Sequence, residues 1–276
     1  MPDPLLRRIE AYYDTVPRSA ARVEEHGPLR LFVAERVPWT YYARPAGGEI
    51  TADDVRAVRR RQWALGAPEA FEWVVELAPS LAASARETGL HVTEVPLMVL
   101  ERPFGDIRDV GGRRGDRGVA EYAPPGDAEL RRLEPDDPAL AASRAVTDLA
   151  FGAFPEAGPA ERDASVAGWP ETRLAAVRER MAAGITVTVV AEDEDGVLAL
   201  GSHQPVGDVT ELVGIGTLPA ARRRGLGTAV AAALVADARR GGAEIVFLSA
   251  GSERIARLYG RLGFRRLGTA GLAVSS

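Results

Sequence analysis

The stretch VTELVGIGTLPAARRRGLGTAV, residues 209–230, joins a glycine-containing strand pattern to an arginine-rich and glycine-rich helix start. The apolar residues that follow recur at helical spacing, namely Leu226, Ala229, Val230, Ala233 and Leu234. They predict a helix that begins near Gly225. Because the first N–H groups of a helix lack partners and glycine lets an anion approach the backbone, this junction indicates a phosphate-binding site.

Common alternatives for binding phosphate do not fit this chain. All 34 basic residues other than histidine are arginine, so a Walker-type lysine, a Schiff-base lysine and a pyridoxal-phosphate anchor are excluded. The segment GIGTLP (214–219) reaches proline where a dinucleotide fingerprint needs glycine. The chain also has no cysteine, which excludes disulfides, thiolate nucleophiles and cysteine-ligated metals.

The overall composition indicates a globular protein of 276 residues, long enough for two domains. No apolar run is long enough to span a membrane and the start lacks a signal-peptide core, so we expect a cytoplasmic protein without a membrane partner. The net charge of -5 argues against nucleic-acid binding. The three histidines show no ligand spacing, and we predict no metal.

Two motifs resemble those of the GNAT N-acetyltransferase superfamily. The family's phosphate loop, Gln/Arg-x-x-Gly-x-Gly/Ala, matches RRRGLG (222–227), and a helix ending in Leu-Tyr-x-x-x-Gly-Phe matches LYGRLGF (258–264). The resemblance covers about residues 127–276. It implies an α/β fold with a mixed, mostly antiparallel twisted sheet flanked by helices.

The resemblance also implies acetyl-CoA as cosubstrate and a set of residues that bind it. In the family the loop holds the pyrophosphate and the preceding splayed strand holds the pantetheine arm through its main chain. The corresponding residues here are Ile215, Gly216, Thr217, Arg222, Arg223, Arg224, Gly225, Leu226, Gly227 and Thr228. Ser252 stands where the family often has asparagine, and this departure weakens any inference about what its side chain contacts.

Transfer of an acetyl group to an amine requires a base, because an alkylamine with a pKa near ~10 is protonated at neutral pH. Glu211, at the start of the splayed strand, is the candidate base; the alternative is a strand-end carboxylate facing water. Tyr259 matches the family's acid, which protonates the leaving thiolate. Because Ile255, Leu258 and Leu262 share its helix face, Tyr259 could instead be a core residue.

The first hundred residues repeat the strand and helix order of the second half. A shift of about 174 residues, measured along the sequence, places Gly89 on Gly263 and Ala85 on Tyr259. This half lacks the glycines of the phosphate loop. We therefore predict a degenerate GNAT-like domain (1–104), a linker (105–126) and a catalytic acetyltransferase domain (127–276), a tandem arrangement similar in architecture to mycothiol synthase.

The resulting prediction is an N-acetyltransferase that acts on a primary amine by direct transfer in a ternary complex. The alternative is a non-catalytic acyl-CoA-binding module that senses or regulates, which would need the phosphate loop but neither Glu211 nor Tyr259. His203, near the candidate base, could serve the acceptor pocket or a proton relay, or be a structural residue. The sequence leaves the acceptor amine and the oligomeric state open.

Overall fold

The computed structural model describes residues 3–35, 41–100 and 126–275. The chain divides into two compact units: unit 1 comprises Met1–Val99, Ser249–Arg257 and Arg265–Ser276, and unit 2 comprises Leu100–Leu248 and Leu258–Phe264. Apart from Gly126, the predicted linker lies outside the described residues. No helix within the described ranges has the length and apolar character needed to cross a bilayer.

Unit 1 contains three complete α-helices and six strands within the described residues. The helices are α1 (Pro4–Thr15), α2 (Ala52–Ala64) and α3 (Ser80–Glu87), and the strands are β1 (Ala21–His26), β2 (Leu29–Ala34), β3 (Arg44–Pro45), β4 (Ala70–Val74), β5 (His91–Leu100) and β11 (Arg265–Val274). One sheet has the order β1-β2-β3, and β11 lies between β4 and β5 in antiparallel pairing with both.

The last strand of the chain thus pairs with two strands that come from the first hundred residues. Gly271 of β11 lies against the buried Trp73, where a Cβ would come within 2.4 Å of the indole. Only glycine fits there, so the tryptophan and β11 are packed against each other. The predicted domain boundaries, 1–104 and 127–276, stay a prediction; residues 265–274 contribute their strand to unit 1.

Unit 2 is built around five neighbouring strands. Its helices are α4 (Leu140–Phe151), α5 (Pro159–Ser165), α6 (Glu171–Ala182) and α7 (Leu226–Arg240), and its strands are β6 (Glu129–Arg132), β7 (Val187–Asp193), β8 (Gly196–Val206), β9 (Val209–Thr217) and β10 (Ile245–Ser249). The strand order is β10-β9-β8-β7-β6, antiparallel except for the parallel pair β9 and β10. Helix α8 (Glu253–Arg261) contributes residues to both units.

Helix α7 packs directly onto the sheet of unit 2. Val230 and Leu234 are fully buried, and their methyl groups would stand within 3.0 Å of a Cβ at Gly201 of β8. The missing side chain at Gly201 therefore lets the helix approach the strand closely. This contact fixes the position of the helix whose first turn follows the arginine-rich loop.

The predicted fold class is confirmed: mixed, mostly antiparallel sheets are flanked by helices. The repeat is also present in the order of elements. Helices α2 and α7, strands β4 and β10, helices α3 and α8, and strands β5 and β11 begin 174 residues apart to within one residue. The two halves share a plan although few residues are identical.

Candidate active site

Strands β9 and β10 separate immediately after Glu211. Their parallel register runs from the pair Val209 and Ile245 to the pair Glu211 and Phe247. Beyond this point, β9 continues to Thr217 and pairs with β8 except at Gly214 and Ile215, but it pairs with no residue of β10 in the described part of the chain. One edge of β9 therefore presents main-chain groups that no neighbouring strand of unit 2 uses, as predicted for a splayed strand.

A bulge interrupts β9 within this open stretch. Val213 pairs with Ser202 and Gly216 with Leu200, so Gly214 and Ile215 both lie opposite Gly201. Gly214 has a φ of 61°, which favours glycine. The bulge changes the direction of the strand next to the candidate base.

Gly216 allows helix α4 to approach the strand. A Cβ at Gly216 would stand 2.8 Å from the Cβ of Ala150 and 3.3 Å from the ring of Phe151. Two glycines within a strand pattern, here Gly214 and Gly216, indicate either a bulge or a close approach to the backbone, and the structure has both. The group that approaches Gly216 is the end of α4, which closes one face of the splayed strand.

The loop between β9 and α7 has the backbone geometry of an anion-binding turn. Arg223 and Gly225 have φ angles of 67° and 80°, both left-handed. Gly225 caps α7 without any side-chain hydrogen bond, and the first turn of α7 contains no acidic residue. The first N–H groups of the helix therefore keep their partial positive charge uncompensated, which suits a phosphate.

The three loop arginines differ in what they contact. Arg222 donates a hydrogen bond of 2.9 Å to the main-chain oxygen of Ala150, and Arg224 donates one of 3.1 Å to Asp193 at the end of β7. These two side chains tie the loop to α4 and to the sheet. Arg223 is exposed and has no partner among the described residues, so its guanidinium is free to meet an anion.

The remaining loop positions are explained by packing. The side chain of Leu226 is 1% exposed and belongs to the core, so only its main chain can face a ligand. Gly227 lies against β9, where a Cβ would stand 3.3 Å from the hydroxyl of Thr217. Thr228 is exposed.

Tyr259 lies in unit 2 together with Glu211 and the loop. Burial of the phenol raises its pKa to about 12, and its ring packs edge-on against Phe264 with centroids 5.8 Å apart. Gly263, with a φ of 91°, ends helix α8, and the main-chain N–H of Phe264 folds back to the oxygen of Tyr259. The glycine and phenylalanine of the motif thus hold the tyrosine at the end of its helix.

The helix face that Tyr259 shares with three apolar residues is only partly covered. Of its three companions, Ile255 and Leu258 are 39% and 45% exposed, and only Leu262 is buried. Tyr259 itself is half-buried, and its assignment as an acid or as a core residue stays a prediction.

Ser252 belongs to a different unit from the other predicted site residues. It is exposed and belongs to unit 1, whereas the loop, the splayed strand, Glu211 and Tyr259 belong to unit 2. Its hydroxyl accepts a hydrogen bond of 3.3 Å from the N–H of Ile255 at the start of α8. This contact gives Ser252 a capping role within its own helix.

His203 is a structural residue in this fold. Its side chain is buried and bonds to the hydroxyl of Thr210 and the carboxylate of Asp237, each at 3.0 Å. The hydrogen bond from His203 lowers the pKa of Asp237. Asp237 was not predicted from the sequence as the partner of His203. Its interruption of the apolar stripe of α7 was the available signal.

Within the described ranges, no three histidine, aspartate or glutamate side chains lie close enough together to hold a metal ion.

Comparisons with known proteins identify one domain of the chain. The model of the acetyltransferase (GNAT) family matches residues 145–264. No curated protein sequence matches the chain. The matched segment contains β9, the loop, α7 and the tyrosine motif described above.

Solved structures are similar over most of the chain. A GCN5-related N-acetyltransferase from Kribbella flavida has a TM-score of 0.68 at 21% identity and covers 98% of this chain and 95% of its own. A GCN5-related N-acetyltransferase-like protein from Streptococcus suis has a TM-score of 0.58 at 11% identity, covering 98% and 97%. A tandem GNAT protein from the clavulanic acid biosynthesis pathway has a TM-score of 0.53 at 16% identity, covering 90% and 78%. At these identities the likeness shows the fold alone, and the family match identifies a GNAT acetyltransferase domain at residues 145–264.

Proposed function

We propose that this protein transfers the acetyl group of acetyl-CoA to a primary amine by direct attack in a ternary complex. The observation that carries the proposal is the start of α7: an uncapped helix preceded by two left-handed residues, with the unpartnered Arg223 beside it and the open edge of β9 next to it. This arrangement suits a ligand that has a pyrophosphate at one end and amide groups along an extended arm.

The corresponding helix of unit 1 supports placing acetyl-CoA in residues 127–276 only. At the start of α2, Thr51 and Asp54 form a capping box, in which each side chain accepts the other's main-chain N–H at 3.3 and 2.9 Å. Asp53 and Asp54 add negative charge to that first turn. Because a phosphate would meet occupied donors and two carboxylates there, α2 does not offer the site that α7 offers.

The first half of the chain also lacks a counterpart of the candidate general acid. Ala85 stands at the position that corresponds to Tyr259, and it is fully buried. We therefore assign residues 1–104 a non-catalytic role as a degenerate GNAT-like domain.

Bound acetyl-CoA supplies an activated acyl group, and the protein must stabilise the charge that develops during transfer. A main-chain N–H within the segment Ile215 to Thr217, where β10 no longer pairs with β9, is the donor that we assign to the thioester oxygen. Such preorganised donors stabilise a developing oxyanion without reorganisation.

We assign the proton transfers of the reaction to two side chains. Glu211, half-buried where β9 and β10 part, takes the proton of the amine directly or through water. Tyr259 donates a proton or hydrogen bond to the departing thiolate; with a pKa raised to about 12 its phenol stays protonated throughout the neutral range. A covalent acetyl-cysteine route is excluded because the chain has no cysteine.

The lack of cysteine also makes the test direct. A thiol reagent that reports free CoA has no protein thiol to react with, so a panel of polyamines, aminoglycosides, amino acids and peptide N-termini can be screened at high protein concentration. Acetyl-CoA-dependent CoA release with one class supports the proposal. Tight acetyl-CoA binding without acetylation of any amine would favour the sensor, and no binding would refute both.

A further inference from the structure

A second candidate site lies on unit 1, on the outer face of α2. Arg56, Arg59, Arg60 and Trp63 follow one another at helical spacing, and together with Glu69 they line a cavity of about 290 Å³. This volume is near the lower limit of small-molecule sites. The residues play no part in the proposed transfer reaction.

Trp63 differs from the other tryptophans of the described ranges. Trp73 is buried, and the ring of Trp169 is covered by the guanidinium of Arg173 at 4.0 Å while its N–H donates to Asp148. Trp63 is 78% exposed, and within the described part of the chain its indole has neither a ring partner nor a hydrogen-bond partner. A large planar apolar surface is thus left uncovered at the cavity.

The arginines that line the cavity differ in their ion-pair partners. Arg56 is paired with Asp53 and Glu87, and Arg59 with Glu69 and the main-chain oxygen of Thr88. These contacts neutralise both side chains and hold the walls of the cavity. Arg60, exposed and three residues before the indole on the same face, has no partner among the described residues.

We propose that this cavity binds a small planar anion, whose ring stacks on the Trp63 indole and whose carboxylate or phosphate pairs with Arg60. Indole and guanidinium groups are the side chains that bind rings and anions most effectively, and Arg60 supplies the one uncompensated charge of the lining.

The experiment follows the indole N–H resonance of Trp63, assigned with Trp63→Phe, in the full-length protein. The probes are benzoate and AMP, with cyclohexanecarboxylate and benzyl alcohol as the matched molecules that lack the planar ring or the charge. Arg60→Gln is compared with Arg7→Gln, since Arg7 is also an exposed arginine of unit 1 without a partner in the described residues.

We expect saturable shifts with at least one planar anion, a Kd raised about tenfold in Arg60→Gln, and no change in Arg7→Gln. Saturation by benzoate identifies a carboxylate site and saturation by AMP a phosphate site. The proposal is overturned if no probe shifts the resonance, if cyclohexanecarboxylate or benzyl alcohol binds as well as the planar anions, or if Arg60→Gln has no effect. It is also overturned if sedimentation shows that Trp63→Leu converts a dimer to a monomer, because the face would then be an interface.

Discussion

Gly216 of β9 and Ala150 of α4 are packed so closely that a Cβ on the glycine would stand 2.8 Å from the Cβ of the alanine. We therefore expect Gly216→Val to lower the free energy of unfolding by about 1 to 3 kcal/mol, because the added methyl groups have no space. Urea denaturation measures this. Gly168→Val, where a Cβ meets nothing within 4 Å, is the control, and equal stability of the two variants would contradict the packing.

The local parts of this site could be predicted from the sequence. The bulge at Gly214, the helix start at Gly225 and the order of elements each depend on neighbouring residues, whose spacing the sequence displays. The groups that approach these positions could not be predicted in the same way. Ala150 reaches Gly216 and His203 reaches Asp237 across tens of residues, and periodicity carries no information about such partners.

The neighbours of β11 and the exposure of apolar residues in α8 could not be predicted for the same reason. The strand pattern of β11 predicts a strand but not its neighbours, which are β4 and β5. Likewise, the apolar spacing of Ile255, Leu258 and Leu262 predicts a shared helix face, yet the first two remain exposed. An apolar face is visible in a sequence, whereas what covers it is decided by tertiary packing.

The free guanidinium of Arg223 leads to a prediction about acetyl-CoA affinity. Loss of one charge-assisted hydrogen bond to a phosphate should raise the Kd about tenfold in Arg223→Gln. Calorimetry on the full chain measures the affinity, and Arg7→Gln should bind as the wild type does. If Arg223→Gln and the control bind equally well, the loop does not hold the phosphates.

The position of β11 predicts that the end of the chain is essential to unit 1. Removal of residues 265–276 would leave β4 and β5 without the strand that pairs with both, and would uncover Trp73. We expect the truncated protein to lose the protection of amide hydrogens in β4 and β5. Hydrogen exchange measures this residue by residue. Native protection in both strands would show that unit 1 folds without β11.

The pair of His203 and Asp237 predicts an acid-dependent loss of stability. Because the folded-state pKa of Asp237 is depressed, the carboxylate stabilises the fold above the ordinary aspartate pKa of about 3.9, and this contribution is lost as the pH falls through the folded-state value. Asp237→Asn should therefore destabilise the protein by about 1 to 3 kcal/mol at neutral pH. Denaturation at several pH values should show the difference from wild type shrinking below about pH 4. A difference that is constant with pH would contradict a role for the charge.

The final prediction separates binding from chemistry. Glu211→Gln and Tyr259→Phe should leave the affinity for acetyl-CoA nearly unchanged, since neither side chain is assigned to the phosphates, and should each lower turnover by about 10²- to 10⁴-fold. Their pH responses should differ. The Glu211→Gln rate should recover in part as the pH approaches the amine pKa near ~10, because more of the amine is then already neutral.

The Tyr259→Phe rate should show no such recovery, because its defect lies in protonating the thiolate. With the phenol pKa raised to about 12, the wild-type enzyme should also show no loss of rate from tyrosine ionisation between neutral pH and ~10. Steady-state kinetics across this range and calorimetry on the same preparations provide both readouts. Wild-type turnover in both variants would show that the carboxylate faces water and that the phenol is structural, because loss of a positioned acid or base cannot leave the rate unchanged.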